Sequence, residues 1–234
     1  FLCTAPKAAG FGALMKVFMT AFPEVHDEWQ TLFWIMAALT MTVGNISALV
    51  QSNVKRMLAF SSISHAGYLA MGVLVLDNNS VGAMLFYLAV YSAMNLGAFA
   101  IIAVAEREEQ GVTFEDYRGL ASRHPWFSAA IALFLISLAG FPPTAGFVAK
   151  YGLFSVVIAK GYIWLVIIAV LNTLVSVYYY LRLVVNMYMR EEEEVLRPVT
   201  GIMVVGLIVL LVAAVLLFGI APGFLLDITT TVIL

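Results

Sequence analysis

Long apolar runs separated by short polar stretches set the pattern of this chain. A helix needs about 20 apolar residues to cross a hydrocarbon core of about 30 Å. Seven segments reach that length, at about 2–22, 31–51, 56–76, 82–105, 126–160, 163–189 and 199–218. The pattern predicts an all-α integral membrane protein of about seven transmembrane helices. The fifth segment is too long for one crossing: 35 residues make about 52 Å of straight helix. It contains Pro142 and Pro143, flanked by Gly140 and Gly146. Proline removes an amide donor and clashes with the preceding turn, so two half-helices joined near 140–146 are expected. The backbone groups freed there must face protein or water rather than lipid. After the seventh segment, Pro222 and Gly223 predict a new turn in place of a longer helix.

Composition agrees with this pattern. Of the 234 residues, 63% are hydrophobic and 11% charged, against about 45–50% and about 25% in a soluble domain. A net charge of −2 is uninformative; the placement of the charges is not. Alternating the loops gives one side that carries Lys55, Arg56, Arg107, Arg118, Arg123, Arg190 and Arg197. The other side carries Lys160, with Lys16 near the end of the first helix. The positive-inside rule assigns the first side to the cytoplasm, so the C-terminus is expected outside it. The mixed-sign stretch 106–125 and the run Glu191 to Glu194 read as solvated connectors. Cys3 is the only cysteine, so no internal disulfide is available. The chain begins inside an apolar run without an initiator methionine, and is expected to be the C-terminal part of a longer protein.

All 14 acidic residues, from Glu24, Asp27 and Glu28 to Asp227, fall in loops, helix ends or the tail. Two lysines do not follow that rule. Lys150 lies ten residues before the outer end of its helix, about 15 Å in, and Lys7 lies about 20 Å from its outer end. A charge at the bilayer centre costs about 2.5–3.5 kcal/mol on insertion scales. Such a lysine reads as a proton-relay element, held by water, by backbone carbonyls or by a carboxylate elsewhere. Snorkelling to the interface suits Lys16, Lys160 and Arg182 better. His65 stands ten residues beyond Lys55 on the third helix, again near mid-depth. Ser61, His65 and Tyr68 follow i, i+4, i+7 spacing and are expected to share a face with Ser64. Histidine titrates near neutral pH and can pass a proton between its two nitrogens, or it can simply be a packed side chain satisfied by a hydroxyl. Tyr87, Tyr91, Asn95, Asn45, Asn172, Ser176 and Tyr178 to Tyr180 read, one by one, as interhelical hydrogen-bonding groups. No CxxC, HExxH or Gly-rich phosphate loop is present, and the three histidines lack metal-site spacing. No cofactor, metal or catalytic residue is expected in this chain.

Four stretches carry a family resemblance. NVKRMLAFSSISHAGY at 53–68 resembles the signature of the proton-translocating antiporter-like subunits of respiratory complex I and of Mrp-type cation/proton antiporters. TAPK at 4–7 is similar to that family's lysine-bearing eighth helix. LAGFPPTAGFVAKYGLF at 138–154 is similar to its broken twelfth helix, and YYYLRLVVNMY at 178–188 to its thirteenth. The motifs stand in family order and span essentially the whole chain. Lysine rather than glutamate at 150, and an end one helix pair later without a lateral helix, point to one complex I branch.

The resemblance implies fourteen helices in a full protein, of which residues 1–234 supply the eighth to the fourteenth. It implies that Lys7 is the connecting lysine of a polar axis, His65 its relay histidine, Lys55 the basic residue at that helix's start, and Lys150 the last lysine before the exit. The acid and lysine of earlier helices would lie outside this sequence. It further implies adjacent antiporter-like chains and the bilayer as partners, with no nucleic acid, in a bacterial inner membrane. Quinone reduction in other subunits would drive the cycle. A new unit charge at about 4 Å, with an effective dielectric near 20, is worth about 4 kcal/mol, enough to move a buried proton. The alternative is an Mrp-type subunit exchanging a cation for protons.

Overall fold

The computed structural model describes residues 4–22, 26–106, 111–191 and 201–231. Cys3, Glu24, Arg107, Glu108, Glu109, Glu192 to Glu194 and Arg197 lie outside them, as do the side chains of Asp27 and Asp227. The described residues form helices: α1 (Ala5–Ala21), α2 (His26–Leu49), α3 (Val54–Val75), α4 (Asn78–Ala105), α5 (Leu120–Arg123), α6 (Pro125–Ala139), α7 (Ala145–Ala159), α8 (Ile163–Met189), α9 (Ile202–Ile220) and α10 (Gly223–Thr231). A 3-10 turn, Glu115–Tyr117, precedes α5. Five of the helices, α2, α3, α4, α8 and α9, are long and apolar enough to cross a membrane. α6 and α7, of 15 residues each, divide the fifth apolar segment between them. The protein is an all-α, multi-pass membrane protein.

α3 and α4 form the centre. α2 lies along α3, α8 packs on α2 and α6, and α7 and α9 both pack on α4. Apolar burial drives helices together weakly inside lipid, so close backbone approach matters more. Gly67 shows it: a Cβ there would stand 2.8 Å from Met41 Cβ, so α2 and α3 meet at that glycine. Ser64 lies on the same side of α3, against Gly44 of α2. The outward faces of α2 (Leu32, Leu39, Val43, Ile46) and α8 (Trp164, Leu171, Leu174) stay exposed and apolar.

Each loop end has a local cause. Asn53 caps α3 by accepting from the Arg56 amide at 2.9 Å. Asp77 and Ser80 form a reciprocal capping box at the start of α4. Lys160, at the end of α7, reaches Asp77 at 2.9 Å, and Lys55 pairs with Glu106. Each pair joins two loops that share one end of the bundle, Lys55–Glu106 at one end and Lys160–Asp77 at the other, as the alternation of crossings requires.

The connector 106–125 departs from expectation. Phe114, Tyr117 and Leu120 are buried. The Val54 amide donates to the Val112 carbonyl at 2.9 Å, and the Gly119 amide to that of Asn186 at 3.1 Å. Asp116 accepts from the amides of Val112 and Thr113, both at 2.8 Å. From Gly111 onward the segment is a docked cover on the ends of α3 and α8 rather than a solvated link, because Phe114, Tyr117 and Leu120 interrupt its charges. α9 ends at Ile220, as Pro222 predicts, but the tail then forms a helix of its own, α10.

Candidate functional site: a buried row of lysine, histidine and tyrosine

The helix break builds one end of the site. α6 stops at Ala139 because Gly140 takes φ +90°, a left-handed cap. The following Pro142–Pro143 bond is cis. Breaking the ladder leaves the last carbonyls of α6 without helical donors. Lys150, on the second turn of α7, reaches back to them. Its Nζ donates to the carbonyls of Leu138 and Ala139, both at 3.0 Å. The ammonium thus sits at the negative end of the α6 dipole, only 5% exposed. Among the described residues no carboxylate pairs with it; backbone carbonyls take that role. Gly146 seats the two halves together, its amide donating to Ser137 Oγ at 3.1 Å.

α1 builds the other end. Asn95 of α4 donates to Thr4 Oγ1 at 3.0 Å. Lys7 Nζ donates to the Ser62 carbonyl, to Ser62 Oγ at 2.6 Å and to Tyr91 OH at 3.4 Å. The same ammonium lies 4.7 Å from the Tyr91 ring centroid, within cation–π range.

His65 stands between these ends, 2% exposed. Its ring centroid is 4.9 Å from Tyr91 and 5.7 Å from Tyr68. Tyr68 in turn lies 5.3 Å from Lys150 Nζ. The result is a continuous sequence, half-buried at Lys7 and buried from Tyr91 onward: Lys7, Tyr91, His65, Tyr68, Lys150. His65 Nδ1 is 2.7 Å from Tyr87 OH. A polar branch leaves the row toward α8 and α2. Thr173 Oγ1 donates to Tyr68 OH at 3.3 Å, Ser61 bonds Tyr180 OH, Tyr179 OH donates to Asn45 Oδ1 at 2.8 Å, and Asn45 donates to Asn172 Oδ1 at 3.1 Å.

The structure therefore brings together Lys7, His65, Tyr68 and Lys150. Two residues stand apart. Lys55 is 38% exposed in its pair with Glu106, ten residues up α3 from His65. Ser64 does not share the face of His65; its hydroxyl is buried against α2 without a hydrogen-bond partner. Ser61 is buried but turns to Tyr180, on the branch. Pro142 and Pro143 hold the break. The sequence pattern gives Ser62 no role and reads Tyr87 and Tyr91 singly as interhelical hydrogen-bonding groups. Their signal was present: Tyr87, Tyr91 and Asn95 stand at i, i+4, i+8 on an apolar helix, and all three touch the site.

The family described as NADH:quinone oxidoreductase/Mrp antiporter, TM, matches residues 1–176. The chain belongs to this family. Its relatives include NADH-quinone oxidoreductase subunit N of Trichlorobacter lovleyi, 46% identical over 97% of this chain and 47% of that protein. Subunit N of Coxiella burnetii is 40% identical over 96% and 47%. Among solved structures, a chain of respiratory complex I from Thermus thermophilus superposes with TM-score 0.76 at 34% identity, over 84% of this chain and 45% of that one. A chain of the Mrp complex from a Dietzia species shares the fold, with TM-score 0.80 at 19% identity, over 95% and 50%. The similarity within the antiporter-like family is to subunit N of complex I. The chain spans about half the length of these relatives.

Proposed function

We propose that residues 1–234 are the C-terminal part of a proton-translocating, antiporter-like membrane subunit of NADH:quinone oxidoreductase. Lys7, His65 and Lys150 are its relay stations. The row from half-buried Lys7 through the buried Tyr91, His65 and Tyr68 to Lys150 carries this reading. Three groups able to hold a proton stand in one line inside an apolar bundle, and buried ionisable groups in membrane helices mark ion pathways. Each cation alters the field at its neighbour, so a proton gained at one end favours release at the other. Electron transfer to quinone belongs to other subunits, and so does the coupling that starts the cycle. Adjacent antiporter-like chains are the partners, and the bacterial inner membrane is the location. The end carrying Lys55 and Arg123 faces the cytoplasm, with the C-terminus opposite.

Lys150→Ala in the full-length protein within its complex tests the assignment. Proton transport into vesicles driven by NADH oxidation should fall at least about a hundredfold, the lower end of what a proton-transferring group contributes. Lys55→Ala, which removes a surface pair worth about 0–1 kcal/mol, should leave transport near wild type. Unchanged transport in Lys150→Ala would remove Lys150 from the path. A requirement for sodium in these vesicles would favour cation/proton exchange instead.

A further inference from the structure

His65 offers the row only one of its two ring nitrogens. Nδ1 faces the Tyr87 hydroxyl at 2.7 Å, and both side chains are buried, at 2% and 1% exposure. Tyr87 lies one helical turn before Tyr91 on α4, so the two tyrosines hold the imidazole from one helix, at different atoms. Tyr91 presents its ring to His65 and its hydroxyl to Lys7. Tyr87 presents its hydroxyl to Nδ1. A relay that passes a proton through the imidazole, in at one nitrogen and out at the other, would end here on a phenol.

We propose that Tyr87 is the positioning residue of His65, accepting a hydrogen bond from Nδ1–H and reserving Nε2 as the one nitrogen that exchanges a proton. The proposal rests on the relay reading above. The protonation states are consistent with it. In the charged ring both nitrogens carry hydrogens, so the Tyr87 oxygen can only accept. In the neutral ring with hydrogen on Nδ1, the same bond persists and Nε2 holds a free lone pair. Uptake forms an N–H bond at Nε2 while one N–H or O–H bond of the donor breaks; release reverses both changes. The Nδ1 hydrogen never leaves. With the opposite tautomer, the only lone pair would face Tyr87, and filling it would demand a phenol proton. His65 thus takes a proton from one neighbour and returns it to another through a single atom. It works as a turnstile between the Lys7 and Lys150 sides, and Tyr87 fixes which atom turns.

The test compares Tyr87→Phe, His65→Gln and the double variant in the assembled complex, with assembly checked on native gels. Phenylalanine keeps the ring packing and removes the hydroxyl. Tyr87→Phe should lower proton transport about tenfold, the effect of losing one hydrogen bond to a charged group. The Tyr87 substitution should add no further loss in the His65→Gln background, because it acts through His65. Losses that multiply would make Tyr87 a structural residue and overturn the proposal, as would full transport in Tyr87→Phe beside impaired His65→Gln. Full transport in His65→Gln alone would instead sink the relay role of His65. A second measurement needs no Tyr87 variant: 15N-labelled histidine, with His65→Gln used to assign the signal, should show the neutral His65 proton on Nδ1. A proton on Nε2 overturns the tautomer assignment.

Discussion

At Gly140 the backbone stands at φ +90°, where an L side chain is strained, and the Lys150 side chain passes directly over it. An alanine there would meet Lys150 Cδ at 3.0 Å as well as adopting the left-handed conformation. Gly140→Ala is therefore expected to destabilise the protein by about 1–2 kcal/mol from the backbone alone. It should also push the ammonium off the Leu138 and Ala139 carbonyls. The expected result is a partial loss of proton transport in the direction of Lys150→Ala, with a lower melting temperature; equal melting and equal transport would show that the cap is not strained and the lysine not displaced. Lys7, His65 and Lys150 were legible as single residues because a basic side chain inside an apolar run stands out. The tyrosines were not, since one tyrosine in a membrane helix is ordinary. Only the pairing of α3 with α4 turns Tyr91 and Tyr68 into the links between the basic groups. Lys55 and Ser64 stand outside the row for the converse reason. Spacing along α3 fixes a direction around the helix but not which neighbour waits there, and the neighbours proved to be Glu106 and Gly44.

At the scale of elements, apolar periodicity and proline placed the helices well; α8 occupies 163–189 as its hydropathy predicted. The break at 140–144 followed from Pro142 and Pro143 with no tertiary knowledge. The docking of 111–125 did not, because a few buried aromatics are lost among its charges until the ends of α3 and α8 are present to receive them. The outer turn between α3 and α4 makes a further prediction. Partial burial works to raise the Asp77 carboxyl, but the Ser80 amide, and after it Lys160, outweigh this and hold the group below its ordinary value. A carboxylate with a lowered folded-state pKa adds stability above its unfolded value of about 3.9. That contribution fades as pH falls through the folded-state value. Thermal unfolding of the purified complex should therefore lose a small increment, under about 1 kcal/mol for so exposed a pair, only below about pH 4. Asp77→Asn, which keeps the α4 cap, should abolish that acid-dependent increment. An increment of the same size persisting in Asp77→Asn would assign it to another group.

At the scale of the whole molecule, the bundle has two ends, each tied by its own ion pair: Lys55 with Glu106 at one, Lys160 with Asp77 at the other. The alternation of crossings assigned these loops to opposite sides before any packing was known, and the pairs obey it. Which end faces the cytoplasm rests on the excess of basic residues near Lys55, Arg118, Arg123 and Arg190. Two exposed positions test it: Asn79 beside the Asp77 turn, and Ser122 beside Arg123. In the full-length protein with its cysteines replaced, Cys3 included, Asn79→Cys should react with a membrane-impermeant thiol reagent added outside spheroplasts. Ser122→Cys should react only after the membrane is opened. The reverse pattern would invert the bundle and exchange the cytoplasmic and outer ends of the path. Reaction of both from one side would be worse for the fold reading. It would mean that α4 does not carry the chain across, because α4 is the one long helix between residue 79 and residue 122.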